Sequence, residues 1–351
     1  MCHNQIMHEQ FMRRCLELAK LGRGKTGINP MVGAVLVRDG KIIAEGFHSE
    51  FGKDHAERDL LEPTNQSARS ARFGALREIS TTDMLYVSLE PCCHTQKKTP
   101  PCTDLIIESG VKHVVFGMKD PNSSVSGKGI EALKKAGIEV IGPVLEDECL
   151  RLNRGFTSLQ KNHRPWITLK IARTIDGRFA KPDGSPLKIT NAEQDEWSHE
   201  YLRARHDAIL VGVGTILTDD PRLTVRSISN FQFPISNQPY RIILDSRLQI
   251  ALTATVVSDE HVARTIVVCT PDADPEKKSA LESRGVRTME CPMLEGIFDR
   301  QVLWRLLTTP EGSFHGLLSI LVEGGEKTWG RFRKEGMVDE EVLLVGERVR
   351  A

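Results

Sequence analysis

The chain has 351 residues, of which 40% are hydrophobic and 27% are charged, with 47 basic and 47 acidic side chains. This length exceeds what one hydrophobic core usually serves, so it predicts two domains. A net charge of zero and an aromatic content of 5% are against an enzyme that acts on nucleic acid, because such proteins bind the strand with basic grooves and stacking side chains.

The cysteines and the N-terminal sequence indicate a cytoplasmic protein. Eight cysteines in a chain of this length, found beside histidine and glutamate, predict metal chemistry in a reducing compartment. The first residues lack the basic and apolar regions of a secretory signal. No run approaches the roughly 18 apolar residues of a membrane span. We therefore expect neither a membrane nor a nucleic acid as a partner.

The first half of the chain alternates between helix and strand patterns. Residues 11–21 carry apolar side chains at helical spacing, and Asp39-Gly40 between two apolar runs is a strong hairpin signal. The further predicted elements are a helix opening at His55, a strand over 84–89, a helix over 104–109, a strand over 111–118, a helix over 130–136 and a strand over 138–140. This alternation is typical of an α/β fold with parallel strands.

His55-Ala56-Glu57 and the cysteines that follow predict a zinc site. His55, Cys92 and Cys102 supply nitrogen and sulfur ligands, and a catalytic zinc keeps three protein ligands and one open position. Zinc deaminases of nucleobases combine H-x-E with P-C-x-x-C, where the glutamate moves protons and is not a ligand. Here the second cysteine lies ten residues after Cys92. A structural zinc is the alternative, although a set of three ligands favours the open site.

These motifs resemble those of one family. Glu90-Pro91-Cys92, Thr99-Pro100-Pro101-Cys102 and His55-Ala56-Glu57 together resemble the deaminase half of the bifunctional riboflavin-biosynthesis enzymes. In that family a diaminohydroxyphosphoribosylaminopyrimidine deaminase is fused to a 5-amino-6-(5-phosphoribosylamino)uracil reductase. The loop is one residue longer here, so Cys93 and His94 are rivals of Cys92 as a zinc ligand.

The resemblance implies a cytidine-deaminase-like three-layer α/β/α domain over residues 1–156, with Glu57 as its catalytic group. Asn29 matches a family segment that shapes the substrate pocket, so it is a candidate contact for the base, and a plain turn residue is the alternative. Gly127, Lys128 and Gly129 fit phosphate binding through a glycine-rich loop. Residues 62–80 are expected to be a surface insertion, or else a basic patch that contacts phosphate.

Residues 157–164 are predicted to be a linker, and residues 165–351 resemble the reductase half of the same family. That half has a dihydrofolate-reductase-like α/β fold. No G-x-G-x-x-G follows a strand, so a Rossmann dinucleotide site is not expected. Instead Gly324 and Gly325 lie between an apolar strand over 317–322 and a helix, an arrangement that can hold a pyrophosphate.

The resemblance also implies the residues of the reductase site. Lys170 is the expected catalytic residue. Arg203 and Arg226 suit a ribose phosphate, because their forked donors match phosphate oxygens. For Arg203, a solvated salt-bridge partner is the alternative. The implied substrate contacts are Arg203, Leu223, Arg226 and Glu323, and the implied NADPH contacts are Ala172, Lys188, Thr215, Asp219, Ser246, Gly325, Glu326, Lys327 and Thr328.

Three departures from the family pattern concern the reductase half. Pro186 stands where the family has a substrate-contacting serine, Lys188 replaces a tryptophan, and the chain stops at Ala351 where the family continues into further strands. A missing strand would expose a sheet edge, so we expect a homo-oligomer. A non-catalytic module in place of the reductase is the alternative.

The expected function is a pair of reactions in riboflavin biosynthesis. The first is zinc (Zn2+)-dependent hydrolytic deamination of 2,5-diamino-6-ribosylamino-4(3H)-pyrimidinone 5′-phosphate, in which zinc activates water and Glu57 moves the protons. The second is reduction of the ribosyl side chain by NADPH. The expected partner is therefore a small phosphoribosylated pyrimidine.

Overall fold

The computed structural model describes residues 2–62, 79–93, 100–123, 125–179, 187–226 and 238–346. Residues 63–78, which make up most of the predicted insertion over 62–80, lie outside these ranges, as do His94 and Pro186. The chain divides into two compact units, Met1–His163 and Arg164–Ala351. Residues 157–162, within the predicted linker, are helical in the first unit. Among the described residues, no helix has the length and apolar character needed to cross a membrane.

The first unit alternates between helices and strands. Its strands are β1 (Gly33–Arg38), β2 (Lys41–Phe47), β3 (Met84–Val87), β4 (His113–Phe116) and β5 (Glu139–Ile141). Its helices are α1 (Cys2–Ala19), α2 (Ala56–Leu61), α3 (Cys102–Ser109), α4 (Lys128–Lys135), α5 (Glu146–Leu152) and α6 (Arg154–Asn162), with a 3-10 turn at Lys20–Gly22 after α1.

The strands of the first unit form a sheet in the order β2-β1-β3-β4-β5. β1 is antiparallel to β2 and β3, whereas β3, β4 and β5 are parallel. The predicted hairpin is confirmed: Asp39 and Gly40, with φ of 49° and 71°, form the two-residue turn between β1 and β2, and left-handed backbone of this kind matches the twist of paired strands.

Helices cover both faces of this sheet. A side chain at Gly33 would strike the backbone of α1, and one at Gly46 would strike the backbone of α2. Ala34 pairs with Gly46, and successive residues of a strand point to opposite faces, so α1 and α2 lie on opposite faces. α2 packs against α3, which packs against α4. The predicted three-layer α/β/α architecture is confirmed.

The second unit is also built of alternating elements. Its strands are β6 (Trp166–Thr174), β7 (Ala208–Gly212), β8 (Tyr240–Leu244), β9 (Thr265–Cys269), β10 (Arg287–Glu290), β11 (Met293–Leu294), β12 (Ile297–Phe298), β13 (Ser319–Val322) and β14 (Glu340–Gly346). Its helices are α7 (Ala192–Trp197), a π turn at Ser198–Leu202, α8 (Val213–Asp219), α9 (Pro275–Glu282), α10 (Arg300–Thr308) and α11 (Glu326–Lys334), and 3-10 turns lie at Arg203–Arg205, Thr255–Val257 and Val262–Arg264.

Seven of these strands form one parallel sheet in the order β10-β9-β8-β7-β13-β6-β14. Its central strands are buried on both faces. Leu210 of β7 belongs to one apolar cluster, whereas Ile209 and Val211 belong to another. Because neighbouring residues of a strand face opposite sides, the clusters lie on the two faces of the sheet. The expected α/β reductase fold is confirmed.

Candidate zinc, substrate and cofactor sites

Three sequence-predicted ligands converge in the first unit. The Nδ1 atom of His55 lies 3.3 Å from Sγ of Cys102 and 3.7 Å from Sγ of Cys92, and the ligand atoms of all three residues lie within 4.8 Å of one another. Tetrahedral zinc with bonds of about 2.3 Å to sulfur and 2.0–2.1 Å to nitrogen would separate N and S by about 3.6 Å. The arrangement therefore fits zinc. Cys93 does not belong to this cluster.

Helix starts position two of these ligands. His55 is the N-cap of α2 and has an extended backbone, and Cys102 is the first residue of α3, after Pro101. Cys92 follows β3 along the chain, and the backbone N–H of Cys102 donates to its Sγ over 3.5 Å. Hydrogen bonds from Cys102 and His55 lower the pKa of the Cys92 thiol. The thiolate, the form that binds metal, is thus favoured at Cys92.

Glu57 is buried in the wall of a cavity beside the ligands. Only 4% of this residue is exposed, and burial raises the pKa of its carboxyl group. The cavity has a volume of about 190 Å³, and its wall is formed by Ile28, Asn29, Pro30, Val32, His48, His55, Ala56, Glu57, Leu89, Glu90, Cys92, Asp120, Asn122, Phe156, Leu159 and Gln160. A carboxyl group of raised pKa at such a surface is suited to take and return protons.

Two hydrogen bonds that the sequence did not predict orient the side chain of Asn29. Nδ1 of His48 lies 2.9 Å from the carbonyl oxygen of Asp54, which makes it the protonated ring nitrogen, and Nε2 then accepts from Nδ2 of Asn29 over 3.2 Å. Asn29 is thereby oriented at the wall of the cavity. His48 lies outside the H-x-E pattern, so no local signal marked it.

Glu90 changes the interpretation of the glycine-rich loop. This buried carboxylate accepts hydrogen bonds from four backbone N–H groups, those of Asp120, Gly127, Gly129 and Ile130, at 3.0–3.3 Å. The predicted phosphate site at Gly127 and Gly129 is therefore wrong for those two amides, because a side chain of the protein already occupies them. Glu90 is two residues from Cys92 and links the metal loop to the start of α4.

In the second unit, three predicted residues meet in one largely shielded cluster. Nε and Nη2 of Arg203 donate to the two carboxylate oxygens of Glu323 at 2.7 and 2.8 Å, and Nζ of Lys170 lies 3.6 Å from the same carboxylate. Burial opposes ionisation of Glu323, but Arg203 and Lys170 outweigh it and lower the pKa of this carboxyl group. The side chain of Arg203 is only 15% exposed and that of Glu323 is 6% exposed, so Arg203 forms a largely shielded ion pair and the solvated alternative is wrong.

The predicted substrate segment lies against this cluster. Nη1 of Arg203 donates to the carbonyl oxygen of Thr224 over 3.0 Å, and the preceding residue, Leu223, has a left-handed φ of 51°. Such backbone is costly for a branched side chain and is found mostly where a site requires it. The structure thus brings Leu223 and Glu323 together through Arg203. Arg226, at the end of the segment, contacts His199.

The start of α11 has the form of a cradle for a phosphate group. A Cβ atom at Gly324 would lie 2.7 Å from the Cβ of Thr328, and one at Gly212 would lie 2.9 Å from its Oγ1. Thr328 therefore rests on two glycines at the ends of neighbouring parallel strands. Open space surrounds the position of a Cβ at Gly325, the N-cap of α11, so this helix end can approach the pyrophosphate of a dinucleotide.

The other residues predicted to contact the cofactor are spread over the carboxyl ends of the strands. Ala172 lies in β6, Thr215 and Asp219 in α8 after β7, and Ser246 after β8. Glu326 and Lys327 are exposed in the first turn of α11, and Lys188 is exposed before α7. Ligands of open parallel sheets bind at this edge. Together, the fold and the two sites define a pyrimidine deaminase joined to a dinucleotide-dependent reductase.

Comparisons with known proteins narrow this class. Residues 165–347 match the RibD C-terminal domain, and residues 5–118 match the cytidine and deoxycytidylate deaminase zinc-binding region. The riboflavin biosynthesis protein RibD of Aquifex aeolicus (strain VF5) is 40% identical over 97% of this chain and 87% of the relative. That of Escherichia coli (strain K12) is 34% identical over 98% of this chain and 89% of the relative.

Solved structures agree. RibD of Acinetobacter baumannii, form 2, has a TM-score of 0.78 and 32% identity over 99% of this chain and 89% of that one. A diaminohydroxyphosphoribosylaminopyrimidine deaminase/5-amino-6-(5-phosphoribosylamino)uracil reductase from Thermotoga maritima has a TM-score of 0.76 and 38% identity over 99% and 88%. The chain belongs to the RibD family of riboflavin biosynthesis proteins.

This membership fixes the general chemistry. The protein is a bifunctional enzyme of riboflavin biosynthesis, a deaminase in its first unit and a reductase in its second, and it uses zinc and NADPH. The match of the second unit to a reductase domain gives no support to the alternative of a non-catalytic module.

Proposed function

We propose that the first unit deaminates 2,5-diamino-6-ribosylamino-4(3H)-pyrimidinone 5′-phosphate and that the second unit reduces the ribosyl side chain of the product. The end product is 5-amino-6-(5-phosphoribitylamino)uracil. The observation that carries the proposal is the convergence of His55, Cys92 and Cys102 beside the buried Glu57. The Thermotoga maritima relative, which is named for the same two activities, supports it.

His55, Cys92 and Cys102 hold zinc in this proposal, and Glu57 moves the protons. Zinc at such a site lowers the pKa of water toward neutrality. The carboxylate of Glu57 takes a proton from the water whose oxygen attacks the amino-bearing carbon of the pyrimidine. It then gives that proton to the amino group, so that the carbon–nitrogen bond breaks and ammonia leaves. Asn29, oriented by His48, contacts the pyrimidine ring.

The cluster around Glu323 binds the substrate of the second reaction. When bound, NADPH supplies the hydride, which is the cofactor's own chemistry. Lys170 lies beside the carboxylate of Glu323, where its ammonium group can direct a proton to the sugar oxygen. Arg203 holds both Glu323 and the backbone of Thr224, so it orders the wall formed by Leu223 and keeps Arg226 near the phosphate.

The cofactor occupies the cradle at the start of α11. Gly325, Glu326, Lys327 and Thr328 surround the helix N-terminus, where backbone N–H groups favour phosphate. The remaining contacts come from the strand ends, at Ala172, Thr215, Asp219 and Ser246, and Lys188 comes from the segment before α7.

Two further proposals concern the setting of the enzyme. The zinc ligands include two thiolates that must stay reduced, and the described cysteines are free, which supports a reducing compartment such as the cytoplasm. β14 forms an edge of the described sheet, with Leu343 43% exposed. We expect a homo-oligomer because an exposed strand edge tends to pair.

Glu57→Gln tests the deaminase proposal. Because the amide keeps the shape of the side chain but cannot take a proton, ammonia release is expected to fall about 10²–10⁴-fold, with zinc content unchanged. Glu62→Gln is the matched control, since Glu62 directly follows the same helix as its C-cap and pairs with Arg58. Glu57→Gln enzyme that releases ammonia at the wild-type rate would refute the assignment.

A further inference from the structure

The segment over residues 221–226 carries two of the proposed substrate contacts but belongs to no helix or strand. Among the described residues, no backbone–backbone hydrogen bond reaches it. Leu223, Thr224 and Val225 are nevertheless buried, and Leu223 has a left-handed φ of 51°. Strained backbone of this kind persists only where the surrounding structure holds it in place. The conformation of the segment must therefore be imposed by side chains.

Four side chains bond to the backbone of this segment. Three are arginine or histidine side chains that also have other partners, and their bonds run from Nη1 of Arg241 to the carbonyl oxygen of Arg222 at 3.2 Å, from Nη1 of Arg203 to that of Thr224 at 3.0 Å, and from the N–H of Arg226 to Nδ1 of His199 at 3.1 Å. The fourth is the side chain of Gln238, and in the described part of the chain both of its hydrogen bonds go to Val225. A substitution at Gln238 therefore tests the hold on this segment alone.

The amide of Gln238 takes the place of a neighbouring strand. Its Oε1 atom accepts from the backbone N–H of Val225 over 2.7 Å, and its Nε2 atom donates to the carbonyl oxygen of the same residue over 3.0 Å. Paired residues of an antiparallel sheet exchange the same two bonds. Glutamine has one acceptor and one NH2 group, so a single orientation of the amide satisfies both backbone groups. With Val225 4% exposed, these groups need such partners.

We propose that Gln238 is a positioning residue of the reductase. By fixing the backbone of Val225, it keeps the left-handed turn at Leu223 and the direction of Arg226, the two substrate contacts on either side. Without the amide, Leu223 is free to return to the negative φ that branched side chains prefer, and this rotation would move the chain that follows it, including Arg226. The inference rests on the proposed function, which places the pyrimidine at Leu223 and Arg226.

Two substitutions separate the hydrogen bonds of Gln238 from its shape. Gln238→Met keeps the length of the side chain but removes both bonds. Gln238→Glu keeps an acceptor for the N–H of Val225 but turns a second oxygen toward its carbonyl group, unless the carboxyl group is protonated. Gln301→Met makes the same chemical change at an exposed site in the first turn of α10 and is the control. NADPH oxidation is measured with the deaminated pyrimidine phosphate, and KM is determined for the pyrimidine and for NADPH separately.

We expect Gln238→Met to raise the KM for the pyrimidine about tenfold, the effect of losing one or two hydrogen bonds, while the KM for NADPH stays within twofold of wild type. Gln301→Met should leave both KM values within twofold. A pyrimidine KM within twofold of wild type in Gln238→Met would overturn the proposal. Equal increases in both KM values would also overturn it, because they would show a general loosening of the unit.

The pH profile of Gln238→Glu distinguishes a positioning role from a merely structural one. At pH 7.5 its pyrimidine KM should exceed that of wild type about tenfold or more. As the pH falls toward 5, the new carboxyl group, with an ordinary pKa of about 4.3, is increasingly protonated and again donates to Val225. The ratio of variant to wild-type KM should therefore decrease, and a ratio that does not change with pH contradicts the role of the amide donor.

Amide hydrogen exchange in the unaltered enzyme gives an independent answer, even if a variant does not fold. The N–H groups of Val225 and Arg226 should exchange slowly although they lie outside any helix or strand. Exchange at the rate of an unstructured peptide would show that the amide of Gln238 does not hold the segment. Failure of the proposed function gives a different result, because wild-type enzyme would then oxidise no NADPH with this pyrimidine.

Discussion

Glu90→Gln should weaken the first unit more than any surface substitution of the same charge. The side chain of Glu90 is buried at 2% exposure, and its two oxygens accept from four backbone N–H groups around the start of α4. Each oxygen takes two of these bonds. The amide of glutamine replaces one oxygen by an NH2 group, so two bonds are lost and donors face donors.

The magnitude follows from those two bonds. Hydrogen bonds to a charged group contribute about 1.5–3 kcal/mol each, so the free energy of unfolding of the first unit should fall by roughly 3–6 kcal/mol. This is a large share of the about 5–15 kcal/mol that stabilises a domain. Because Cys92 is two residues away, zinc should also be released at a lower concentration of denaturant.

The distribution of tryptophan makes the assay selective. All four tryptophans, Trp166, Trp197, Trp304 and Trp329, belong to the second unit, so their fluorescence in urea reports the unfolding of that unit. Zinc release to a coloured chelator reports the first. With a slope of about 1–3 kcal/mol per molar urea, the zinc-release midpoint of Glu90→Gln should fall by about 1 M or more, while the fluorescence midpoint stays unchanged.

Glu131→Gln is the matched control for this experiment. Glu131 is exposed in the first turn of α4, so its substitution should cost at most about 1 kcal/mol through the helix dipole. If Glu90→Gln and Glu131→Gln release zinc at the same urea concentration, the four backbone bonds do not stabilise the unit and the reasoning is wrong.

Two further predictions concern the reductase unit. Gly324→Ala would push a Cβ to within 2.7 Å of Thr328, and this overpacking, which costs about 1–3 kcal/mol, should raise the KM for NADPH about tenfold. Gly330→Ala adds a methyl group in open space and should change that KM less than twofold. If the two variants have equal KM values for NADPH, the cofactor cradle at the start of α11 is refuted. The pKa of His199 is about 4 in the folded chain, against a usual 6.5, so its imidazole takes up a proton more readily in the unfolded chain. The stability due to the neutral ring is therefore complete above pH 6.5 and lost as the pH falls toward 4. The urea midpoint of tryptophan fluorescence should therefore drop between pH 7 and pH 5 by more in wild type than in His199→Gln, and parallel pH profiles would contradict this.

Local sequence signals predicted the parts of the sites that adjoin a turn or a helix start. Asp39-Gly40 predicted the hairpin because left-handed backbone is built into that dipeptide. His55 and Glu57 could be placed together because they are two residues apart at the start of one helix. Lys170 lies in a strand between apolar neighbours, where an inward lysine needs a partner, and the structure supplies Glu323 at 3.6 Å.

The features that the sequence could not predict depend on contacts between residues that are far apart along the chain. Glu90 meets Gly129 across 39 residues, and a glycine-rich turn reveals its N–H donors but not the acceptor that comes from elsewhere. His48 and His199 likewise gain a role only through Asn29 and Arg226. The first helix begins at Cys2 and not near residue 11, because its N-terminal half is polar and lacks a clear apolar stripe.

Each of the two sites is drawn from its own continuous part of the chain. The cavity beside the zinc ligands uses residues 28–160, and the cluster around Glu323 uses residues 170–323. A mutation that disables one site therefore removes no side chain from the other. In genetic terms, a chain damaged at Glu57 and a chain damaged at Lys170 together contain one intact copy of each site, so a mixture of the two should complement in trans and complete both reactions.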